Sequence, residues 1–161
     1  MIHLALYSTL PPLYDSGIND IGTTTGQSHG FNLKTAQQVT ECVTSVKALI
    51  ADYGFDGVDI DFEDPFNFTV SSLVSVINQL VAAFPGLVVT MAAMYFDSVS
   101  SSGMYRQVAS QLGANLTCYS VQFYNHSGWT PTSWAADVQK LVPVLAAAYG
   151  ANRVGIGYMS P

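Results

Sequence analysis

A chain of 161 residues, 49% hydrophobic and only 10% charged, has the length of one domain and too much apolar content for a disordered protein. Its formal net charge of −6, with five lysines and arginines in all, argues against nucleic acid or an anionic membrane as a partner. No apolar run approaches the ~20 residues of a membrane span. The first residues lack the features of a signal peptide, although a secreted parent protein is compatible with the sequence, so the localisation stays open.

Predicted strands alternate with predicted helices along the chain. The strands are residues 2–7, 56–62, 87–93, 116–124 and 153–158; a long polar loop covers residues 8–32, and the helices are residues 32–53, 70–84, 102–112 and 132–149. A helix between successive strands is typical of right-handed βαβ units, so residues 1–161 are predicted to form a single α/β domain with a parallel sheet. No G-x-G-x-x-G or P-loop motif follows the first strand, and five strands are too few for an eight-stranded barrel of about 250 residues.

The two cysteines, Cys42 and Cys118, have neither metal-ligand spacing nor a C-x-x-C pattern. We expect them to be two buried free thiols rather than a disulfide.

The segment at residues 56–63, D-G-V-D-I-D-F-E, carries carboxylates at alternate positions. Alternate side chains of a strand share a face, which gives an apolar face and an acidic face: Val58, Ile60 and Phe62 against Asp59, Asp61 and Glu63. Neighbouring carboxylates would lie about 6–7 Å apart. Because close like charges inside a protein do not ionise together easily, we expect at least one raised pKa, as a general acid near neutral pH requires.

Two other interpretations of this acidic row stay open on the residues alone. A solvated acidic strand of an antiparallel sheet shows the same alternation, and a row of carboxylates can bind a cation. However, the predicted neighbours are parallel strands, which are normally buried on both faces, and calcium loops need denser oxygen ligands at another spacing. The pattern therefore favours catalysis without excluding the alternatives.

The same eight residues resemble the D-G-x-D-x-D-x-E signature of family 18 glycoside hydrolases, which are the chitinases and their endoglycosidase relatives. Residues 89–93 (V-T-M-A-A) and 121–125 (V-Q-F-Y-N) resemble the fifth and sixth strands of that family, and residues 154–157 (V-G-I-G) resemble the seventh. The resemblance covers roughly residues 35–161. It implies a partial TIM-type (β/α) barrel, with about five parallel strands corresponding to the middle of a (β/α)8 barrel.

The resemblance also implies roles for individual residues. Glu63 would protonate the glycosidic oxygen, Asp61 would orient the N-acetyl group of the substrate, and Asp59 would support Asp61 from behind. Tyr124 would hydrogen-bond the acetamido oxygen in a retaining, substrate-assisted mechanism that needs no metal or cofactor. The candidates for further substrate contacts are Gln122, Asn125, Met91 and Trp129. For Tyr124, Met91 and Trp129, a position in the core is the alternative interpretation.

The sequence departs from the family at both ends. It has no counterpart of the family's first strand, nor of the eighth-strand tryptophan that forms the floor of the sugar site. We therefore expect a partial barrel with two open sheet edges, and a homo-oligomer, most simply a dimer, to cover them. The alternative is that the loop at residues 8–32 folds over the open side and keeps the chain monomeric.

Three functional hypotheses follow from the resemblance. The first is hydrolysis of β-1,4 linkages in chitin or N-acetylglucosamine oligosaccharides. The second is a non-catalytic protein that binds such sugars on the same scaffold, and the third is an endo-β-N-acetylglucosaminidase acting on N-glycans. The presence of Glu63 favours a hydrolase, because lectin-like relatives often lack that acid.

Overall fold

The computed structural model describes residues 32–62, 68–124 and 128–157, together with the backbone of residues 2–7. The strands are β1 (Ile2–Tyr7), β2 (Gly57–Phe62), β3 (Val88–Met94), β4 (Cys118–Gln122) and β5 (Val154–Gly157). The α-helices are α1 (Ala36–Tyr53), α2 (Val70–Ala83), α3 (Tyr95–Val99), α4 (Met104–Leu112) and α5 (Pro131–Tyr149). Short 3-10 turns, Gly113–Asn115 and Ala151–Arg153, lead into β4 and β5. Each predicted strand and helix is present, and α3 is an addition.

The helices α1, α2 and α5 begin with the same local device. In each, an N-cap threonine accepts a hydrogen bond from the backbone N–H three residues later, and the side chain there accepts one from the N-cap backbone. The pairs are Thr35 with Gln38, Thr69 with Ser72, and Thr130 with Ser133. α1 ends at Gly54, which has a φ of 67°, a left-handed conformation that favours glycine.

The sheet has the strand order β1-β2-β3-β4-β5, and β2 to β5 are parallel. Helices join these four strands in turn, so the prediction of an α/β domain with a parallel sheet is confirmed for them. Cross-strand register places Asp59 beside Thr90 and Thr90 beside Cys118. Met94 at the end of β3 stands beside Gln122 at the end of β4.

The first strand corrects the prediction of about five parallel strands to four. β1 runs antiparallel to β2, with Tyr7 opposite Gly57. A crossover helix between two strands gives a parallel pair, as it does for β2 to β5. Tyr7, at the end of β1, lies beside the start of β2, whereas Leu33, before α1, bridges to Phe68 beyond the end of β2.

The core lies between the sheet and the helices. The helix-facing residues of β2 are the predicted apolar set, and the same buried layer continues through the middle strands as Val89, Met91, Ala93, Tyr119, Val121 and Phe123. The alternate side chains of β2, β3 and β4 point to the other face and are mostly half-buried. This second face carries the acidic residues and is called the acidic face below.

Candidate active site

Asp59 and Asp61 lie together on the acidic face, as their alternation in the sequence predicts. Both are half-buried, while Val58 and Ile60 between and beside them are fully buried. Glu63, the third carboxylate of the row, belongs to residues 63–67, which lie outside the described residues. Asn125 lies outside them as well. The strand therefore brings together two of the three predicted carboxylates.

Asp59 is held by the neighbouring strand. The hydroxyl of Thr90, its register partner on β3, donates a hydrogen bond to the Asp59 carboxylate. Burial raises the pKa of Asp59, and the hydrogen bond from Thr90 lowers it in part. The expectation of a raised pKa in the acidic row is confirmed for this residue. Its first cause is loss of water around the carboxylate, rather than the repulsion between neighbouring carboxylates that the sequence suggested.

Gln122 links three strands through its side-chain amide. Its Nε2 donates to Asp61 Oδ1 and to the backbone oxygen of Ala92, both at 2.8 Å. An amide nitrogen has two protons, and both are used here on acceptors. The side chain is only 7% exposed, so water has little access to compete for these bonds. The predicted neighbours Gln122 and Asp61 are therefore in direct contact.

Tyr124 follows the end of β4 and is half-buried. Its ring approaches β5: a side chain at Gly157 would bring a Cβ within 3.3 Å of Tyr124 Cε1. A Cβ at Gly155 would come within 3.1 Å of Ser120 Oγ. Glycines at these two positions of β5 therefore leave room beside the strand for Ser120 and Tyr124.

Met91 is not on the acidic face, and the prediction that it contacts substrate is wrong. Its exposed fraction is 0%, and it lies in the helix-facing layer between Val89 and Ala93. The residues of β3 on the acidic face are Thr90 and Ala92, because the register pairs Thr90 with Asp59. The core interpretation of this methionine is the correct one.

Trp129 has the contacts of a core residue at the end of the sheet. Its ring centroid lies 4.9 Å from that of Tyr95 and 6.0 Å from that of Phe123, which belongs to the helix-facing layer. Its Nε1 donates to Asp137 of α5 at 2.9 Å. These contacts favour the core interpretation, and they do not bring Trp129 together with Asp61.

The two cysteines are free, as expected. Cys42 is buried in α1, and burial raises its pKa to about 12. Cys118 is only half-buried and lies on the acidic face beside Thr90. Its pKa is raised first by burial and then by the charge of Asp59.

Across the described ranges, no group of three or more His, Cys, Asp or Glu side chains is placed to hold a metal ion. No helix in the described part of the chain is long and apolar enough to cross a membrane.

Two residues on the acidic face were not predicted from the sequence: Thr90 and Ala92. The available signal was the alternation of strand residues, since both lie on the acidic face once β3 is paired with β2. The arrangement places one carboxylate fixed by an amide, and another with a raised pKa, toward the carboxyl end of a parallel strand. Substrates of (β/α)-barrel enzymes bind at that end. Such a pair is suited to orienting a polar substrate group and to stabilising positive charge on it.

Comparison with known proteins gives one curated relative and several solved structures. No protein-family model matches the sequence. Over 83 residues the chain is 36% identical to Chitinase ChiA of Flavobacterium johnsoniae, a match that covers 51% of this chain and 5% of that protein.

Solved structures give the same result for the fold. A protein assigned as chitinase A from Streptomyces coelicolor matches 81% of this chain with a TM-score of 0.68 and 26% identity, and 47% of that protein is covered. A GH18 chitinase from Pseudoalteromonas aurantia matches 86% of this chain with a TM-score of 0.61 and 22% identity, and 58% of it is covered. The chain thus spans about half the length of these solved relatives.

The fold is therefore a partial (β/α) barrel of the kind found in chitinases. The curated relative and the Streptomyces coelicolor structure, both named as chitinases, agree with the resemblance that the acidic strand indicates.

Proposed function

We propose that this protein is a chitinase-type glycoside hydrolase that cleaves β-1,4 linkages between N-acetylglucosamine units of chitin or its oligosaccharides. The observation that carries the proposal is the Asp61 carboxylate, held by Gln122 at 2.8 Å on a strand that leads directly to Glu63. Relatives named as chitinases support this choice of substrate. No nucleic acid or membrane is expected to take part, and the proposed chemistry requires no cofactor.

The proposed mechanism is retaining and uses the substrate's own acetamide as the nucleophile. Glu63 gives its proton to the glycosidic oxygen as the bond from that oxygen to the anomeric carbon breaks. The acetamido carbonyl oxygen attacks the same carbon, which forms a cyclic oxazolinium ion. Glu63 then takes a proton from water, which opens the ring and leaves the product with its original anomeric configuration.

Asp61 orients the acetamido group in this mechanism and stabilises the positive charge that develops on it. The hydrogen bond from Gln122 keeps its carboxylate in one position, which supports the near-attack geometry that the mechanism needs. Asp59 lies two residues before Asp61 on the same face of β2 and supports it. Because burial raises the pKa of Asp59, the pair can hold less negative charge than two freely ionised carboxylates. Tyr124 is the proposed partner of the acetamido oxygen, and Asn125 is a proposed further substrate contact.

A substitution at Glu63 tests the proposed acid. Glu63→Gln keeps the shape and removes the proton, so hydrolysis of chito-oligosaccharides should fall about 10²- to 10⁴-fold while oligosaccharide binding persists. The chain contains one other glutamate, Glu41, which is exposed on α1. Glu41→Gln is the matched control and should keep wild-type activity. Retention of more than about a tenth of the activity by Glu63→Gln would remove Glu63 from this role.

The nature of the substrate separates the remaining hypotheses. Fully deacetylated chitosan oligomers should resist cleavage, because they lack the acetamide that acts as the nucleophile. Equal turnover of acetylated and deacetylated oligomers would point instead to a carboxylate nucleophile. Wild-type protein that binds chito-oligosaccharides without cleaving them would support the non-catalytic sugar-binding hypothesis, and cleavage restricted to N-glycans would support the endoglycosidase.

A further inference from the structure

The hydrogen-bonded ladder between β2 and β3 stops before either strand ends. Its register runs from Gly57 beside Val88 to Ile60 beside Met91. β2 nevertheless continues to Phe62 in register with β1, and β3 continues to Met94 in register with β4. The neighbouring edges of β2 and β3 therefore separate at the level of Asp61.

The geometry of a parallel ladder identifies which backbone groups would pair at this level. The N–H of Val88 donates to the carbonyl oxygen of Asp56 at 2.9 Å, and the pattern of a parallel pair repeats every two residues. Continued along β3, it would place Ala92 opposite Asp61. Ala92 would then donate to the carbonyl oxygen of Ile60 and accept from the N–H of Phe62.

A side chain occupies this position in the ladder. The N–H of Phe62 donates to the hydroxyl oxygen of Tyr105, and that hydroxyl is oriented to donate in turn to the carbonyl oxygen of Ile60, over a long 3.5 Å. Tyr105 comes from α4 on the helix side of the sheet and is 1% exposed. One phenol thus reproduces the donor and the acceptor that Ala92 would have offered to β2.

The carbonyl group of Ala92 is hydrogen-bonded from the opposite face of the sheet, the acidic face. It accepts a hydrogen bond from Gln122 Nε2 at 2.8 Å, and the same nitrogen donates to Asp61 Oδ1. Two side chains, Tyr105 from the helix side and Gln122 from the acidic face, therefore bond three of the backbone groups at the point where β2 and β3 part: the N–H of Phe62 and the carbonyl oxygens of Ile60 and Ala92. Gln122 bonds Asp61 on the acidic face, at the same level at which Tyr105 lies between β2 and β3 on the helix side.

We propose that Tyr105 is a positioning residue of the site, which acts through the backbone of Ile60 and Phe62 to fix Asp61, the residue between them. The role of Asp61 in this inference rests on the proposed function. Burial raises the pKa of Tyr105 well above its usual range, so the hydroxyl keeps the proton that it donates.

Tyr105→Phe removes the hydroxyl and keeps the ring, and Tyr119→Phe is its matched control. Tyr119 has an exposed fraction of 0%, and its hydroxyl is hydrogen-bonded to Ser98 Oγ at 2.9 Å, away from β2. We expect kcat for chito-oligosaccharides to fall about 10- to 100-fold in Tyr105→Phe with KM nearly unchanged, because Asp61 loses its orientation toward the acetamide and the other sugar contacts remain. Tyr119→Phe should lose a comparable amount of thermal stability and keep its kcat. Equal kcat values in the two variants would contradict the inference.

Amide hydrogen exchange at Phe62 tests the same contact independently of activity. Its N–H should be protected in the wild type and in Tyr119→Phe, and should exchange faster in Tyr105→Phe relative to the N–H of Ile60. Unchanged exchange in Tyr105→Phe would overturn the inference. If Tyr105→Phe does not fold, the wild type decides, since a Phe62 amide that exchanges much faster than that of Ile60 contradicts the contact.

The two readouts also separate this inference from the proposed function. Absence of cleavage by the wild type would reject the hydrolase, while loss of Phe62 protection in Tyr105→Phe would still support Tyr105 as the residue that orders this strand end. Cleavage with unchanged protection would reject Tyr105 and leave the hydrolase in place.

Discussion

Replacing Gln122 with glutamate reverses two hydrogen bonds with almost no change in shape. The group that donates to Asp61 Oδ1 and to the carbonyl oxygen of Ala92 would become an oxygen. At neutral pH a carboxylate would then face a second carboxylate and a carbonyl group, and all of these are acceptors. Gln122→Ala removes the donors without adding charge, so the pair of variants separates loss of the bonds from repulsion.

The expected cost follows from the two contacts. A buried acceptor that loses its donor costs about 1–3 kcal/mol, and Asp61 is half-buried, so water replaces part of its bond. The low end for each contact gives about 2 kcal/mol for Gln122→Ala. For a chain of this size, that lowers Tm by about 4–8 °C. Gln122→Glu should lose more at neutral pH, because repulsion from Asp61 adds to the lost bonds.

Thermal unfolding between about pH 8 and about pH 5 distinguishes the variants. The deficit of Gln122→Glu should shrink as the pH falls, since the introduced carboxyl gains a proton and can donate again, whereas the deficit of Gln122→Ala should stay nearly constant. Gln79→Glu, on the exposed face of α2, is the control and should change little. A wild-type Tm for Gln122→Glu at neutral pH, or the same pH dependence in both Gln122 variants, would refute the reasoning.

Two further predictions concern Asp59 and the edge of the sheet. Burial raises the pKa of Asp59 above its unfolded value of ~3.9, so its stabilising contribution is complete below that pH and is lost as the pH rises through the folded pKa. Asp59→Asn should therefore unfold at higher urea than the wild type at neutral pH, with an advantage that disappears near pH ~4, and lower urea resistance at neutral pH would contradict this. We also propose a homodimer through the edge strand β5, where Ile156 is 45% exposed. Light scattering at low micromolar concentration should give twice the chain mass, reduced to one chain by Ile156→Lys, and a single-chain mass for the wild type would reject the dimer.

Much of the fold follows from local patterns in the sequence. The alternation of Val58, Ile60 and Phe62 with acidic residues predicts both faces of β2, and the buried apolar layer confirms it. The direction of β1 has no such signal. Strand propensity is the same for either direction, so residues 2–7 by themselves do not distinguish an antiparallel from a parallel pairing with β2.

The position of Met91 on the helix-facing side and that of Gln122 on the acidic face have one cause. Residues of a strand change face at every step, so assignment to a site requires the register against a strand whose facing is known. Gln122 and Tyr124 share a parity within their own strand, and that parity is correct. For β3, however, only the pairing of Thr90 with Asp59 shows which residues lie on the acidic face. Met91 follows Thr90 and therefore lies on the opposite face.

Tyr105 could not have been found by any strand pattern. Its hydroxyl meets the N–H of Phe62, 43 residues earlier in the chain, only because α4 packs over the point where β2 and β3 part. In the sequence it is one apolar position of an amphipathic helix. A helix position of this kind becomes functional when its polar tip replaces a backbone partner, so the buried tyrosines of other partial barrels deserve the same comparison with the ladder beside them.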